Sequence, residues 1–464
     1  MLSALGANPM TATQTAVQRA RPSDPRVEAA RTVAADLFGP PDHRTFAVRY
    51  WDGTTDWPPG AAPFTLQVNH AAAFRHMLLP PTELSIVETY LFNDVDIVGD
   101  IEAATDLANI VEKRIAHTGA ALQLFRHLLS LPRHDDQQTR TSSGAAHVAR
   151  RLVRFGRIHS VGRDARAVRF HYDVGNDFYR LWLDSNLVYS CAYFERGDES
   201  LDVAQIKKLD LVCRKLRLLP GERLLDIGCG WGALVIHAAK RYGVSATGIT
   251  LSEQQAAFAR DRVAREGLMD RVSIQVRDYR TLDESLRVDK VSSVGMVEHV
   301  GERRLRDYFA AAYRVLSPGG LFLNHGIVSL EDARPMPLLD PIWRRLWQRD
   351  QFIRRYVFPD GHLVPSKMVI ASAEAEGFEM RDVESLREHY VTTLRHWVHR
   401  LEERAEEARS LVGDVTYRVW RLYMAASAHG FRTARIGVIQ TLLAKPDTDG
   451  AVDLPRNRRD LFSR

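Results

Sequence analysis

Leu224-Leu225-Asp226-Ile227-Gly228-Cys229-Gly230-Trp231-Gly232 is an apolar run that passes directly into three alternating glycines, and Ala233 to Tyr242 beyond it has helical spacing. Glycine lets the backbone turn tightly and approach a ligand closely, and a helix start offers N–H groups that lack intrahelical partners. The stretch therefore predicts a strand, a ligand-cradling loop and a helix. Outward from it the same alternation continues: strand Ser245–Ile249, helix Glu253–Glu266, strands Val272–Val276 and Lys290–Val294, helix Leu305–Leu316 and strand Leu321–Ile327. Strands joined through helices give a doubly wound, mostly parallel α/β sheet, whose ligands bind at the carboxyl ends of its strands.

The spacing of Gly228, Gly230 and Gly232 behind Asp226 differs from the dinucleotide fingerprint GxGxxG and is the arrangement associated with S-adenosylmethionine. At the end of the second strand Thr250, Leu251 and, a turn later, Gln255 fall where a nucleotide fold needs polar groups against a ribose; many methyltransferases use an acid there. After the third strand Asp278 can accept the exocyclic amine proton of an adenine and Tyr279 can pack on its ring.

The 464 residues are 45% hydrophobic and 26% charged, as in a globular protein, and no apolar run reaches the roughly 18–20 residues of a membrane span. The length suits two domains. Residues 1–25 read as a disordered leader without the apolar core of a signal peptide, which argues against export. Residues 26–131 read as a smaller α/β domain, with a helix at Val27–Phe38, strands near Thr45–Trp51 and Phe64–Val68, a periodic stretch from Phe74 to Val98 and a helix near Leu107–Leu131. Residues 132–165 form a basic linker, 166–445 the catalytic domain and 446–464 a tail. The last third, Asp340 to Leu443, reads as mainly helical, a lid with Trp397, Leu401, Ala405 and Ala408 on one packed face. The net charge is only +5, yet Arg126 to Arg169 holds ten Arg against three acids, which suits anionic lipid headgroups or simply a solvated linker. Aromatic platforms for nucleic acid are lacking around it. Three cysteines, Cys191, Cys213 and Cys229, form no CxxC pair and no zinc-type spacing, which fits a reducing cytosol and not a structural metal.

Six further segments carry a resemblance. They are His171 to Tyr179, Tyr189 to Phe194, Met296 to Gly301, Asn324 to Ile327, Tyr356 to Gly361 and Tyr390 to Trp397. In this order, with the glycine loop between the second and third, they resemble the cyclopropane-fatty-acyl-phospholipid synthases over about residues 165–440. Residues 40–125 more weakly resemble the accessory domain of members that act on whole phospholipids. The resemblance implies a class I, Rossmann-like methyltransferase that uses S-adenosylmethionine, with Tyr189 and Ser190 joining the cofactor site. It also implies a bound bicarbonate held by Cys191, Glu298, His325, Ile327 and Tyr390, the first and fourth through backbone groups. Its partners would be unsaturated phospholipid at the inner face of the cell membrane and a second copy of the chain.

The chemistry fits such residues. An isolated alkene is a poor nucleophile, so methyl transfer leaves a carbocation that must be stabilised and kept from water. Aromatic faces such as Tyr193, Phe194, Tyr279 and Tyr390 could do the first. Ring closure then needs a base close to the new methyl. The same cation can lead instead to a methylene- or methyl-branched chain, and the same fold can serve a small-molecule O- or N-methyltransferase or a lipid-binding protein without activity. In Met424 to Arg432, Ser427 stands where the family often has cysteine, so it reads as pocket wall and not as a nucleophile.

Overall fold

The computed structural model describes residues 24–134 and 174–461, apart from 116–117, 284, 331–350 and 359–360. The leader, the Arg-rich strip from residue 135 onward, the start of the His171 segment and the beginning of the expected lid lie outside the described residues.

Two sheets organise the chain. The smaller contains β1 (Ala47–Arg49), β2 (Thr55–Asp56), β3 (Phe64–Val68) and β4 (Val95–Gly99) in the order β2-β1-β3-β4. The larger has β5 (Arg223–Ile227), β6 (Ser245–Thr250), β7 (Val272–Val276), β8 (Val288–Val294), β9 (Leu316–Ser329), β10 (Glu379–Ser385) and β11 (Ile436–Ala444). Its order is β10-β11-β9-β8-β5-β6-β7, and only β11 runs against its neighbours. This is the expected doubly wound sheet, reversing direction between β5 and β8, where ligands bind in such folds.

β5 is buried from Leu224 to Ile227, as a central parallel strand covered on both faces must be. Side-chain caps set the helices that carry the site. Ser200 accepts from Val203 N at the start of Leu201–Lys215, and Ser252 accepts from Gln255 N at the start of Glu253–Arg265.

Two expected stretches differ. The periodic run from Phe74 to Val98 breaks into helices Ala73–Leu78 and Glu83–Leu91 and strand β4, because Pro80 and Pro81 interrupt the helical hydrogen bonding. The last third is mainly helical among the described residues, but β10 and β11 add two strands to the sheet. Helices Arg387–Glu403 and Asp414–Arg432 pack on them, with Trp397, Leu401 and Ala408 buried and Ala405 beside them. The helix Asp414–Arg432 also meets the N-terminal residues: Arg418 donates to Asp96 and Asn93, and Arg421 to Tyr90, to the carbonyls of Ile97 and Gly99, and to Glu402. No helix among the described residues is long and apolar enough to cross a membrane.

Candidate active site

At the carboxyl ends of β5, β6 and β8 lies a cleft walled by Tyr189, Ser190, Asp226, Gly228, Gly230, Thr250, Leu251, Gln255 and Tyr279. Gly228, Gly230 and Gly232 all have positive φ. A side chain at Gly228 would strike Met296, whereas the space a Cβ would take at Gly230 is open, which leaves room for a ligand against the backbone. Gly232 stands behind the wall and caps the helix Ala233–Tyr242, close to Ala259.

Asp226 is buried on the floor, bonded by Ser292 Oγ at 2.8 Å, and burial pushes its carboxyl up to about 6. Thr250 Oγ1 donates to Gln255 Oε1 at 3.0 Å, which turns the amide nitrogen of Gln255 away from Thr250. Asp278 is not on the cleft wall; it is chelated by Arg280, with Nη2 to Oδ2 at 2.6 Å and Nε to Oδ1 at 2.9 Å. Its expected adenine contact would have to compete with that pair. Lys208, absent from the expected set, lines the cleft and donates to Ser190 Oγ at 3.0 Å; burial pulls its ammonium down to about 8.

Met296 and Val300 line the cleft; of the five expected base-site residues, Glu298 meets Ile327, Ile327 shares an apolar cluster with Cys191 and Tyr390, and His325 is paired with Val294 of the cleft wall. Glu298 lies on the short helix Val297–Val300, and its Oε1 accepts the Ile327 N–H at 2.7 Å. The Ile327 amide is thus committed to Glu298. Glu298 Oε2 is buried and has no partner among the described residues, and burial raises the carboxyl to about 7. His325 and Ile327 point to the same sheet face, two residues apart on β9. Between them, Gly326 admits Val297, for a Cβ there would lie 2.1 Å from Val297 Cγ1.

Ile327 packs against a cluster that includes Cys191, Tyr189 and Tyr390. The Cys191 thiol donates to the carbonyls of Ala192 at 3.3 Å and Leu386 at 3.6 Å, and burial pushes its pKa far up. That is a protonated thiol and not a nucleophile. Its own N–H has no acceptor among the described residues. Tyr390 packs against Phe431, ring centroids 4.7 Å apart. Tyr423, also unexpected, packs against the same cluster, and burial lifts its hydroxyl to about 12. The rings of Tyr193 and Phe194 are stacked on His389 and His396, so each has one face already covered.

Among the described residues, one cluster of metal-type side chains lies elsewhere, in the N-terminal unit. His70 Nε2 and His76 Nδ1 meet the two Asp94 oxygens at 3.0 and 2.9 Å, and Ala72 N donates to His70 Nδ1. Hydrogen bonds account for this group, and it contributes nothing to the cleft.

A family model described as Mycolic acid cyclopropane synthetase matches residues 159–441. A probable fatty acid methyltransferase of Pseudomonas putida is 47% identical over 307 residues, 66% of this chain and 76% of that protein. Cyclopropane mycolic acid synthase 1 of Mycobacterium tuberculosis is 38% identical over 277 residues, 59% of this chain and 94% of that one. Among solved structures, mycolic acid cyclopropane synthase CmaA1 complexed with SAH and CTAB aligns with a TM-score of 0.56 at 37% identity, covering 61% of this chain and 98% of that chain. The cleft at the strand ends, the glycine loop and a family match over more than half of its length agree: the chain belongs to the mycolic acid cyclopropane synthetase family and is an S-adenosylmethionine-dependent methyltransferase of the class I, Rossmann-like fold.

Proposed function

We propose that this protein transfers the methyl carbon of S-adenosylmethionine to a cis double bond of an unsaturated phospholipid acyl chain and closes a cyclopropane ring through a carbocation, with bound bicarbonate as the base. The observation that carries this reading is Glu298, a buried carboxyl near neutral pKa with one oxygen anchored on Ile327 N and the other without a partner among the described residues. Such an oxygen is satisfied by a bound group that donates to the carboxylate or accepts from the carboxylic acid, and bicarbonate can do either. The donor set fits bicarbonate: the Glu298 carboxyl, the His325 ring, the Tyr390 hydroxyl and the Cys191 N–H would hold it, while Ile327 orients Glu298. The apolar packing of Tyr189, Tyr390, Trp397 and Phe431 keeps water from a cation and offers it aromatic faces.

Phospholipid is favoured by the N-terminal resemblance and by the fatty acid named for the Pseudomonas putida relative. The basic strip from Arg126 to Arg169 would add attraction to an anionic cytoplasmic surface, and a homodimer would bring two such strips to one membrane. In the same reading residues 26–131 are the lipid-substrate domain and 166–445 the catalytic domain.

The test is mass spectrometry of fatty acids after incubation with unsaturated phospholipid vesicles and cofactor bearing a fully deuterated methyl. A product that keeps two deuteriums and survives mild hydrogenation is the ring. A reducible methylene branch would move the enzyme to the branched-chain reaction, and the absence of any lipid product would overturn the lipid reading in favour of a small-molecule acceptor.

A further inference from the structure

We infer that Lys215 and Gln440 are positioning residues that lock His325 in the tautomer with its proton on Nε2. The inference rests on the reading that places His325 beside the reacting centre. An ammonium can only donate, and Lys215 Nζ lies 2.6 Å from Gln440 Oε1, which fixes which end of that amide is oxygen. The amide nitrogen of Gln440 is then the atom 3.1 Å from His325 Nδ1. An amide nitrogen has no lone pair to offer, so Nδ1 accepts and the proton of a neutral ring sits on Nε2.

The framework around this chain of contacts is rigid. Gln440 and His325 are directly paired across β11 and β9, both are buried, and Lys215 is held at the end of its helix by a second bond to Glu384 on β10. Burial and the charges of Lys208 and Lys215 push the His325 pKa down to about 3, which disfavours a second proton. His325 therefore enters the site as a hydrogen-bond donor. It can hold an oxygen of a bound anion, and it cannot act as the base that takes a proton at neutral pH.

The test uses the full chain labelled with 15N-histidine, the His325 signals being those lost in His325→Gln. From pH 6 to 8 they should show a protonated Nε2 and a bare Nδ1; a protonated Nδ1 would overturn the inference. Gln440→Glu presents an acceptor to Nδ1 and should move the proton there. With unsaturated phospholipid vesicles it should lower kcat about 100-fold and raise the bicarbonate concentration needed for half-maximal rate, while the KM for S-adenosylmethionine stays within about twofold. Lys215→Met frees the amide and should give mixed tautomers, and Lys215→Arg should restore the parent spectrum. Parent-like spectra and kcat in both Gln440→Glu and Lys215→Met would sink the positioning role. Spectra as expected in an enzyme that yields no lipid product would sink the proposed reaction and leave the tautomer assignment standing.

Discussion

The glycine loop and the Glu298–His325 cluster stand at the carboxyl ends of neighbouring strands, yet they solve different problems with different materials. The loop after β5 works through backbone: three glycines at positive φ, an open space at Gly230 and a helix start. The cluster beside β9 works through buried titratable side chains whose charge states are set by burial, Glu298 upward and His325 downward. A ligand that carries its own charge is met by a preorganised backbone, whereas chemistry that creates a charge needs side chains held close to neutral.

Mutations can break this division of labour. The largest effect is expected for Glu298→Gln, which should reduce turnover about 1,000-fold with cofactor affinity nearly unchanged, read from steady-state rates and calorimetric titration. Equal losses in both would merge the two halves into one site. The same residue should shape stability. Between its ordinary 4.5 and its buried value of about 7, the folded chain keeps a proton that the unfolded chain releases, so stability falls as pH rises through that window. The contribution of this group is roughly 3 kcal/mol in full, and Glu298→Gln should abolish it. Urea unfolding of parent and variant at pH 4.5, 6 and 7.5 checks this, and a stability difference that is the same at all three pH values would contradict the buried-acid account.

Gly230→Ala puts a methyl into the open space of the loop and should weaken S-adenosylmethionine binding about 100-fold, with the far-ultraviolet circular dichroism retained. Unchanged affinity would mean that the ligand does not approach this backbone. Lys208→Met is the mildest change and sharpens the boundary between the regions, since Lys208 lies on the cleft wall and its charge also reaches His325. A loss of about tenfold in cofactor affinity is expected, consistent with one charged hydrogen bond. A loss confined to kcat would instead assign Lys208 to the reacting side.

The backbone half was the more legible in the sequence. Gly228, Gly230, Thr250 and Gln255 follow predicted strands at short distances, and a strand-loop-helix pattern locates them without knowledge of the rest. The other half depends on residues far apart in the chain, and Glu298, His325 and Tyr390 were reached through family-like segments. Lys208, Lys215, Tyr423 and Gln440 carry no signal in the sequence, because each sits in an ordinary helical or strand pattern, where a buried polar side chain looks like any solvated one. β11 is illegible for a related reason: the mostly apolar run Ile436–Ala444 has no alternation to separate a buried strand from a buried helix. β10, alternating along an edge, carries four charged residues in seven and looked like surface. Asp278 lies after β7 as expected, and its pairing with Arg280 two residues on shows in no strand or helix pattern.

Gly326 acts as a gauge. Where the strand that carries His325 passes the helix that carries Glu298, Val297 fills the space at Gly326, and a methyl group there would overlap Cγ1 of that valine. The missing side chain thus gauges the spacing of Glu298 and His325, and under the proposed function alanine at this position would be a shim inserted from behind, altering the fit of the two groups.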